Sequence, residues 1–234
     1  MQVADVIERL RAMGSERNRE GMARYGIVAE AALGIPVTEL RKVGREIGRD
    51  HAMALALWDT GIYEARILAS IVDDPKAVTE EQMERWVADF DTWEICDQCC
   101  GNLFEKTSFA FRKVEEWTAR QGEFEKRAGF SLIAYISVHR KKATDADFLP
   151  FLEIIKREAT DERNFVKKAV NWALRQIGKR SLFLNRAAIN AALELRSTKS
   201  RSARWIAADA LRELESEPVR ARLNAKAVVN NRKG

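Results

Sequence analysis

The chain has 234 residues, 46% of them hydrophobic and 32% charged, with four prolines, twelve glycines and a net charge of +5. This composition supports a sizeable core and favours helices over a β-sandwich or barrel. Neither a long apolar run nor the basic start of a signal peptide occurs, which argues against a membrane or secreted protein. Three clustered cysteines, at 96, 99 and 100, form no disulfide framework and favour a reducing cytoplasm.

The spacing of apolar residues, close to 3.6, predicts helices along almost the whole chain. In chain order they cover residues 2–13, 16–32, 36–47, 51–59, 63–73, 79–89, 92–105, 108–120, 123–138, 146–159, 163–179, 182–196 and 200–215. Gly34 and Gly48 are stop signals, and Thr79 with Gln82 has the spacing of a capping box. No window has the apolar–polar alternation of a strand. Residues 221–234 are predicted to be a loosely held basic tail, for which disorder is one of the open interpretations.

The predicted helices form pairs, and the second helix of each pair carries a charged residue at a matching position. These residues follow one another at spacings of 31, 30, 41 and 36: Arg66, Asp97, Arg127, Lys168 and Arg204. Repeats of about 30 to 45 residues, each a helix pair, are typical of HEAT-like α-solenoids. The sequence therefore predicts an all-α fold in which residues 1–220 form a single domain. That domain is expected to be an α-solenoid of HEAT-like helix pairs, curved with a basic concave face formed by the second helices.

Charge is distributed unevenly along the chain. Residues 1–120 contain 16 Lys and Arg against 22 Asp and Glu, whereas residues 121–234 contain 24 against 13. A basic half is the electrostatic footprint of a protein that binds the phosphate backbone of nucleic acids, although a solvated surface with a basic tail gives the same count. The matching positions of the four cations favour the first interpretation, because they place the charges on one surface.

Two tryptophans lie one helical turn from charged residues on second helices. Trp93 precedes Asp97 by four residues, Lys168 precedes Trp172 by four, and Arg175 extends the second face. Tryptophan is usually a core residue, so packing inside the protein is the alternative for either indole. A surface combining cations, indoles and one carboxylate suits a cationic, aromatic or sugar ligand.

The cysteine run does not have the pattern of a zinc site. Beyond Cys96, Cys99 and Cys100, the chain offers only His51 and His139, each about forty residues away. Thiols on an apolar helix are more often small core residues. Because Gly-rich phosphate loops, nucleophile elbows and metalloprotease motifs are also missing, the sequence predicts neither a metal nor a nucleotide cofactor.

From Tyr25-Gly26-Ile27 to about residue 215, the chain resembles the AlkD-like DNA alkylation repair proteins, HEAT-like solenoids that include DNA glycosylases. The most specific segments are residues 91–97, DTWEICD, and residues 165–179, FVKKAVNWALRQIGK. In that family the active cleft is made by a tryptophan, an aspartate four residues later, an arginine and a second tryptophan. The resemblance gives these catalytic roles to Trp93, Asp97, Arg127 and Trp172.

The resemblance implies a monofunctional glycosylase that releases N3- and N7-alkylated purines from double-stranded DNA without flipping the base out of the helix. It also implies phosphate contacts from a set of cations: Arg66, Lys168, Arg175, Lys179 and Arg204. Such an enzyme would be cytoplasmic and would associate with the nucleoid while acting on DNA. A monomer is expected, because a solenoid with polar ends needs no partner.

Two other interpretations stay open. The family also contains proteins that bind branched or distorted DNA without excising bases, and Thr92 stands where active members carry an aromatic residue. A helical-repeat scaffold for an acidic protein, with Trp93 and Trp172 packed in its core, is the third. DNA binding that weakens steeply with salt would exclude the scaffold.

Overall fold

The structure, a computed structural model, describes residues 2–27 and 31–231. Within these ranges the protein is helical throughout and has no strand, which confirms the all-α prediction. The helices follow the chain as α1 Val3–Met13, α2 Glu16–Met22, α3 Val37–Ile47, α4 His51–Asp59, α5 Tyr63–Val72, α6 Glu80–Ala88, α7 Trp93–Asn102, α8 Ala110–Thr118, α9 Glu123–His139, α10 Leu149–Glu158, α11 Asn164–Gly178, α12 Leu182–Arg196, α13 Arg201–Leu214 and α14 Glu217–Asn231. In the described ranges, no helix is long and apolar enough to cross a membrane.

The chain divides into two compact units, residues 1–110 and residues 111–234. In the first unit α5 is the central helix and packs against α3, α4 and α7. On the α4 side, Trp58 stacks on Trp86 of α6 with ring centroids 4.0 Å apart. Alternate helices are thus neighbours, α3 with α5 and α5 with α7, as the pairing of helices in the sequence predicts.

The second unit repeats this arrangement. Its second helices α9, α11 and α13 pack in succession, while α12 packs against α10, α11, α13 and α14. Asn185 of α12 donates hydrogen bonds to the carbonyls of Gly178, 3.0 Å away, and Leu214, 3.2 Å away, at the ends of α11 and α13. A Cβ at Gly178 would lie 2.6 Å from the Leu214 side chain, so glycine permits this close approach. These are the HEAT-like helix pairs that the sequence predicts. The assignment of residues 1–220 to a single domain stays a prediction.

Most helices begin and end within three residues of the predicted positions, and the first large difference is at α2. Helix α2 ends at Met22, and a 3₁₀ turn of Ala23–Tyr25 leads to Gly26, whose φ of 73° is left-handed and ends the helical path. The predicted helix 16–32 is therefore too long, and residues 28–30 lie outside the described ranges.

At the other end, α14 occupies residues 217–231, where the sequence predicts a loose tail from residue 221. Val219 and Leu223, one helical turn apart, are buried and anchor this helix. Its other residues are mostly exposed, and for that reason the apolar periodicity in the sequence is weak. Residues 232–234 of the predicted tail lie outside the described ranges.

The predicted cap of α6 is half confirmed. The Thr79 hydroxyl accepts a hydrogen bond from the Gln82 backbone amide at 3.1 Å, as in a capping box. The Gln82 side chain does not reach back to Thr79. It donates instead to the buried carboxylate of Asp73 at 2.6 Å, which His51 also contacts at 2.7 Å. The hydrogen bond from Gln82 to Asp73 therefore replaces the bond from Gln82 back to Thr79 that a full capping box would contain.

Candidate functional site

In the first unit, the start of α7 places Trp93 and Asp97 on one accessible face. The buried Thr92 is the N-cap, and its hydroxyl accepts a hydrogen bond from the Ile95 amide at 3.4 Å. The helix therefore begins at Trp93, and Asp97 follows one turn later. Both side chains are partly exposed, whereas Ile95 and Cys96 between them are buried. The shared face predicted from the spacing is present, and Trp93 is not a core residue.

The Trp93 indole is held by a contact that the sequence does not predict. Its Nε1 donates a hydrogen bond to the backbone carbonyl of Tyr25 at 2.9 Å, across 68 residues of sequence. Tyr25 precedes the left-handed Gly26, and the residue is 72% exposed. In the sequence Tyr25 is recognisable only as the end of a helix. Its carbonyl fixes the position of the Trp93 indole.

Glu64 on the first turn of α5 and Glu94 on the first turn of α7 have structural roles. The buried carboxylate of Glu64 accepts backbone hydrogen bonds from Leu33, Gly34 and Ile35, at 2.8, 2.7 and 3.2 Å. The Tyr63 hydroxyl donates to Glu94 at 2.5 Å. Burial, and secondarily the Glu94 carboxylate, raise the pKa of Tyr63 far above its ordinary value, so this bond keeps its proton on the phenol.

The opposite face of α7 belongs to the core. Cys96, Cys99 and Cys100 are fully buried and reduced, as the core interpretation of the cysteine run predicts. Burial raises the pKa of Cys99 and of Cys100, so both remain neutral thiols at physiological pH. Among residues 2–27 and 31–231, no group of three His, Cys, Asp or Glu side chains has the arrangement to hold a metal ion.

Arg66, a predicted phosphate contact, is engaged within the first unit. Its guanidinium lies over the Trp58 ring at 5.3 Å. One nitrogen is 3.9 Å from the Asp89 carboxylate, and another donates to the Asp89 carbonyl at 3.3 Å. The side chain is only partly exposed. Arg66 therefore links α5 to α4 and to the end of α6, and its contact with DNA stays a prediction.

In the second unit, Arg127 is buried, with 6% of its surface exposed. Its guanidinium donates a hydrogen bond of 2.7 Å to the carbonyl of Phe165, on the first turn of α11. The bond joins α9 to the start of the helix that carries Trp172. Burial of a charged group is costly unless the group is paired and hydrogen-bonded, so the Arg127 guanidinium depends on the partners that it has in this place.

Helix α11 presents a stripe formed by Lys168, Trp172, Arg175 and Lys179, at spacings of four, three and four residues. We refer to these four residues as the α11 stripe. Trp172 is partly exposed and makes an edge-on contact with Tyr135 of α9, with centroids 5.1 Å apart. Like Trp93, it is at the surface of its unit. Lys168 is the most accessible member of the stripe, and the other three are partly exposed.

The remaining predicted cations have partners inside the second unit. Arg175 and Lys179 share Glu213 of α13, at 2.8 and 2.7 Å. Arg204 donates to the carbonyl of Lys199 at 2.8 Å. Trp205, beside Arg204, is 41% exposed and lies 5.4 Å from the Lys167 ammonium, a contact that no spacing in the sequence indicates.

A protein-family model and a solved structure both match the chain over most of its length. A family model described as DNA alkylation repair enzyme matches residues 6–214. A solved structure, described as one of "a new family of proteins related to the HEAT-like repeat DNA glycosylases with affinity for branched DNA structures", aligns with a TM-score of 0.78 and 22% identity. The alignment covers 95% of this chain and 96% of that one, and at this identity the likeness establishes the fold. No curated protein sequence matches the chain. The family model spans nearly the whole helical repeat, and the chain therefore belongs to the DNA alkylation repair enzyme family.

Proposed function

We propose that this protein is a monofunctional DNA glycosylase that hydrolyses the N-glycosidic bond of N3- and N7-alkylated purines in double-stranded DNA. The observation that carries the proposal is the pair formed by Trp93 and Asp97 on one accessible face of α7, in a chain of the DNA alkylation repair family. Asp97 lies one turn after Trp93 and is partly exposed, as Trp93 is. Glu94, the acid on the first turn of α7, accepts a hydrogen bond from the Tyr63 hydroxyl.

The chemistry suits these residues. An alkylated purine carries positive charge and is a good leaving group, and cleavage leaves an oxocarbenium-like deoxyribose. The Asp97 carboxylate would stabilise that cation and orient the attacking water. Indole faces attract cations, so the indole of Trp93, on the same face as Asp97, would favour the transition state over the uncharged sugar. The resemblance assigns Trp172 the same kind of role. This reaction requires neither a metal nor a nucleotide cofactor from the protein.

The basic residues would supply binding and position. Lys168 is exposed one turn before Trp172 and would contact a phosphate directly. Arg127 is buried and tied to the start of α11, so we assign it a positioning role for Trp172. We further propose that the enzyme acts as a monomer and leaves the damaged base in the duplex, in keeping with a site built on helix surfaces.

Base release from duplex DNA containing N7-methylguanine or N3-methyladenine tests this proposal. Asp97→Asn keeps the size of the side chain and removes its charge, and we expect it to lower the rate of release by about 10²-fold or more. Its affinity for the same duplex should stay equal or increase. Asp91→Asn, the same change at an exposed residue just before α7, is the matched control and should release base like the wild type.

A second function, binding of branched or distorted DNA without excision, is favoured by one specific observation. The residue immediately before Trp93 is Thr92, which is buried and caps α7. It cannot supply the aromatic ring that the resemblance leads one to expect at this position in a base-excising enzyme. Wild-type protein that releases neither base, yet binds branched DNA in a salt-dependent manner, would establish this function in place of the first.

A further inference from the structure

The second unit contains a basic cavity that none of the predicted excision residues lines. It has a volume of about 620 Å³ and is open on one side. It lies among the segment after α9, the α11–α12 turn and α14. Its ionic lining is five cations and one acid: Lys141, Lys179, Arg180, Arg222, Lys226 and Asp145.

One wall of the cavity carries the guanidinium of Arg180, which is held by several hydrogen bonds. Arg180 donates hydrogen bonds to the carbonyls of Ser137 at 3.0 Å and Arg140 at 2.8 Å, and also to that of Ala143. These carbonyls belong to the end of α9 and the segment that follows it, where a cation is favoured by the helix dipole. The guanidinium also lies 4.3 Å from the centroid of the Phe148 ring. Arg180 therefore fixes the segment that carries Lys141.

The cations at the rim differ from those of the α11 stripe, because no acid in the described ranges pairs with Lys141, Arg222 or Lys226. The single lining acid, Asp145, accepts a hydrogen bond from Ser181 at 2.6 Å. Partial burial, followed by the charges of Lys141, Arg222 and Arg180, lowers the pKa of Lys226. Like charges gathered in this way repel one another, and an anion among them would relieve that repulsion.

The size and position of the cavity indicate which anion fits. A volume of about 620 Å³ is within the roughly 300–1,000 Å³ of small-ligand pockets and exceeds what one phosphate fills. Gln176 and Lys179, which line the cavity, lie one and two turns beyond Trp172 on α11. At 1.5 Å per residue, Lys179 is about 10 Å along the helix from Trp172. The cavity is thus at the end of the proposed DNA-binding stripe.

We infer that this cavity is a second phosphate-binding site, which takes a nucleotide unit of a DNA strand through Lys141, Arg222 and Lys226. The inference rests on the proposed binding of DNA for the source of the phosphate. A free nucleotide offers the same chemistry, and the two sources are separated by experiment.

The test uses the full-length Arg222→Gln/Lys226→Gln double variant, with Arg220→Gln as its matched control. Arg220 is an exposed cation of the same helix and does not line the cavity. The dependence of DNA affinity on salt is measured for a linear duplex and for a four-way junction of the same sequences. Because each lost phosphate contact lowers the salt slope by about one, we expect the double variant to lose about one to two in slope and the control to lose nothing. A loss on the junction alone would place the cavity on a second DNA arm.

Thermal unfolding with added dAMP or inorganic phosphate forms the second arm, and this arm does not require DNA binding. If dAMP stabilises the wild type and the control but not the double variant, the site is supported. This result would hold even if the protein binds no DNA and the proposed function fails. Stabilisation by dAMP with unchanged DNA slopes would overturn the DNA source and identify a free nucleotide. Unchanged slopes together with no stabilisation by either anion would overturn the site itself.

Discussion

Replacement of Glu64 by glutamine should destabilise the first unit strongly. In the native protein one carboxylate oxygen accepts from Gly34 and Ile35, and the other accepts from Leu33. In Glu64→Gln the remaining oxygen can keep the first two bonds, while the new amide donor faces the Leu33 N–H. Loss of a hydrogen bond to a charged group costs about 1.5–3 kcal/mol, and an unsatisfied buried donor costs about 1–3 kcal/mol. We therefore expect the free energy of unfolding to fall by about 3 kcal/mol or more.

Urea unfolding followed by circular dichroism measures this change. With a slope of about 2 kcal/mol per molar, a loss of about 3 kcal/mol moves the midpoint down by about 1.5 M. Glu46→Gln is the control, because Glu46 forms an exposed ion pair with Arg9 and such pairs contribute little. A midpoint of Glu64→Gln equal to that of the control would refute the argument that this carboxylate holds the segment before α3.

Three other predictions concern groups with altered pKa or a capping role. Cys99 and Cys100 should resist a thiol reagent at about pH 8 in the folded protein and react after denaturation, because burial raises the pKa of both thiols; rapid labelling of the native state would contradict this. Burial alone would raise the pKa of Glu213, but the hydrogen bonds and charges of Lys179 and Arg175 hold it below its ordinary value of 4.5. The contribution of Glu213 to stability is therefore present above pH 4.5 and is lost in acid. Glu213→Gln should flatten that acid dependence in unfolding experiments and steepen the salt dependence of DNA binding, since it releases Lys179 and leaves Arg175 only the Asp209 carboxylate at 3.6 Å. Thr92→Val should lower the free energy of unfolding by about 1 kcal/mol while Thr92→Ser should not, and equal stability of the two variants would show that the cap contributes nothing.

Much of the fold could be predicted from the sequence because its helices are amphipathic and regularly spaced. The matching positions on second helices correctly identified α5, α7, α9, α11 and α13 as neighbours within each unit. Periodicity was less informative for α14, where Val219 and Leu223 are the buried residues among 217–228. A helix held by two apolar residues has too weak a pattern to distinguish from a tail.

The candidate site was predictable only in part, because spacing along one helix reports a shared face and nothing about contacts distant in sequence. The exposed pair of Trp93 and Asp97 follows from the four-residue spacing. The hydrogen bond from Trp93 to the Tyr25 carbonyl joins residues 68 apart, and no local rule identifies it. The same limit applies to Arg127, whose burial depends on the packing of α11 against α9.

The number of Lys and Arg residues in the sequence is also a weak guide to phosphate binding. Ion pairs with Asp and Glu decide which of these cations remain available to a phosphate. Arg175 and Lys179 of the α11 stripe are both paired with Glu213, and Arg175 also lies 3.6 Å from the Asp209 carboxylate. Binding of DNA there must compete with an existing ion pair, and such exchange yields little net energy. Cations that have no acid beside them in the described ranges, such as Lys168 and Lys226, gain the full attraction of a phosphate. The excess positive charge of residues 121–234 should therefore act through Lys168 at the start of α11 and through the cavity cations that lack an acidic partner, and less through Arg175 and Lys179.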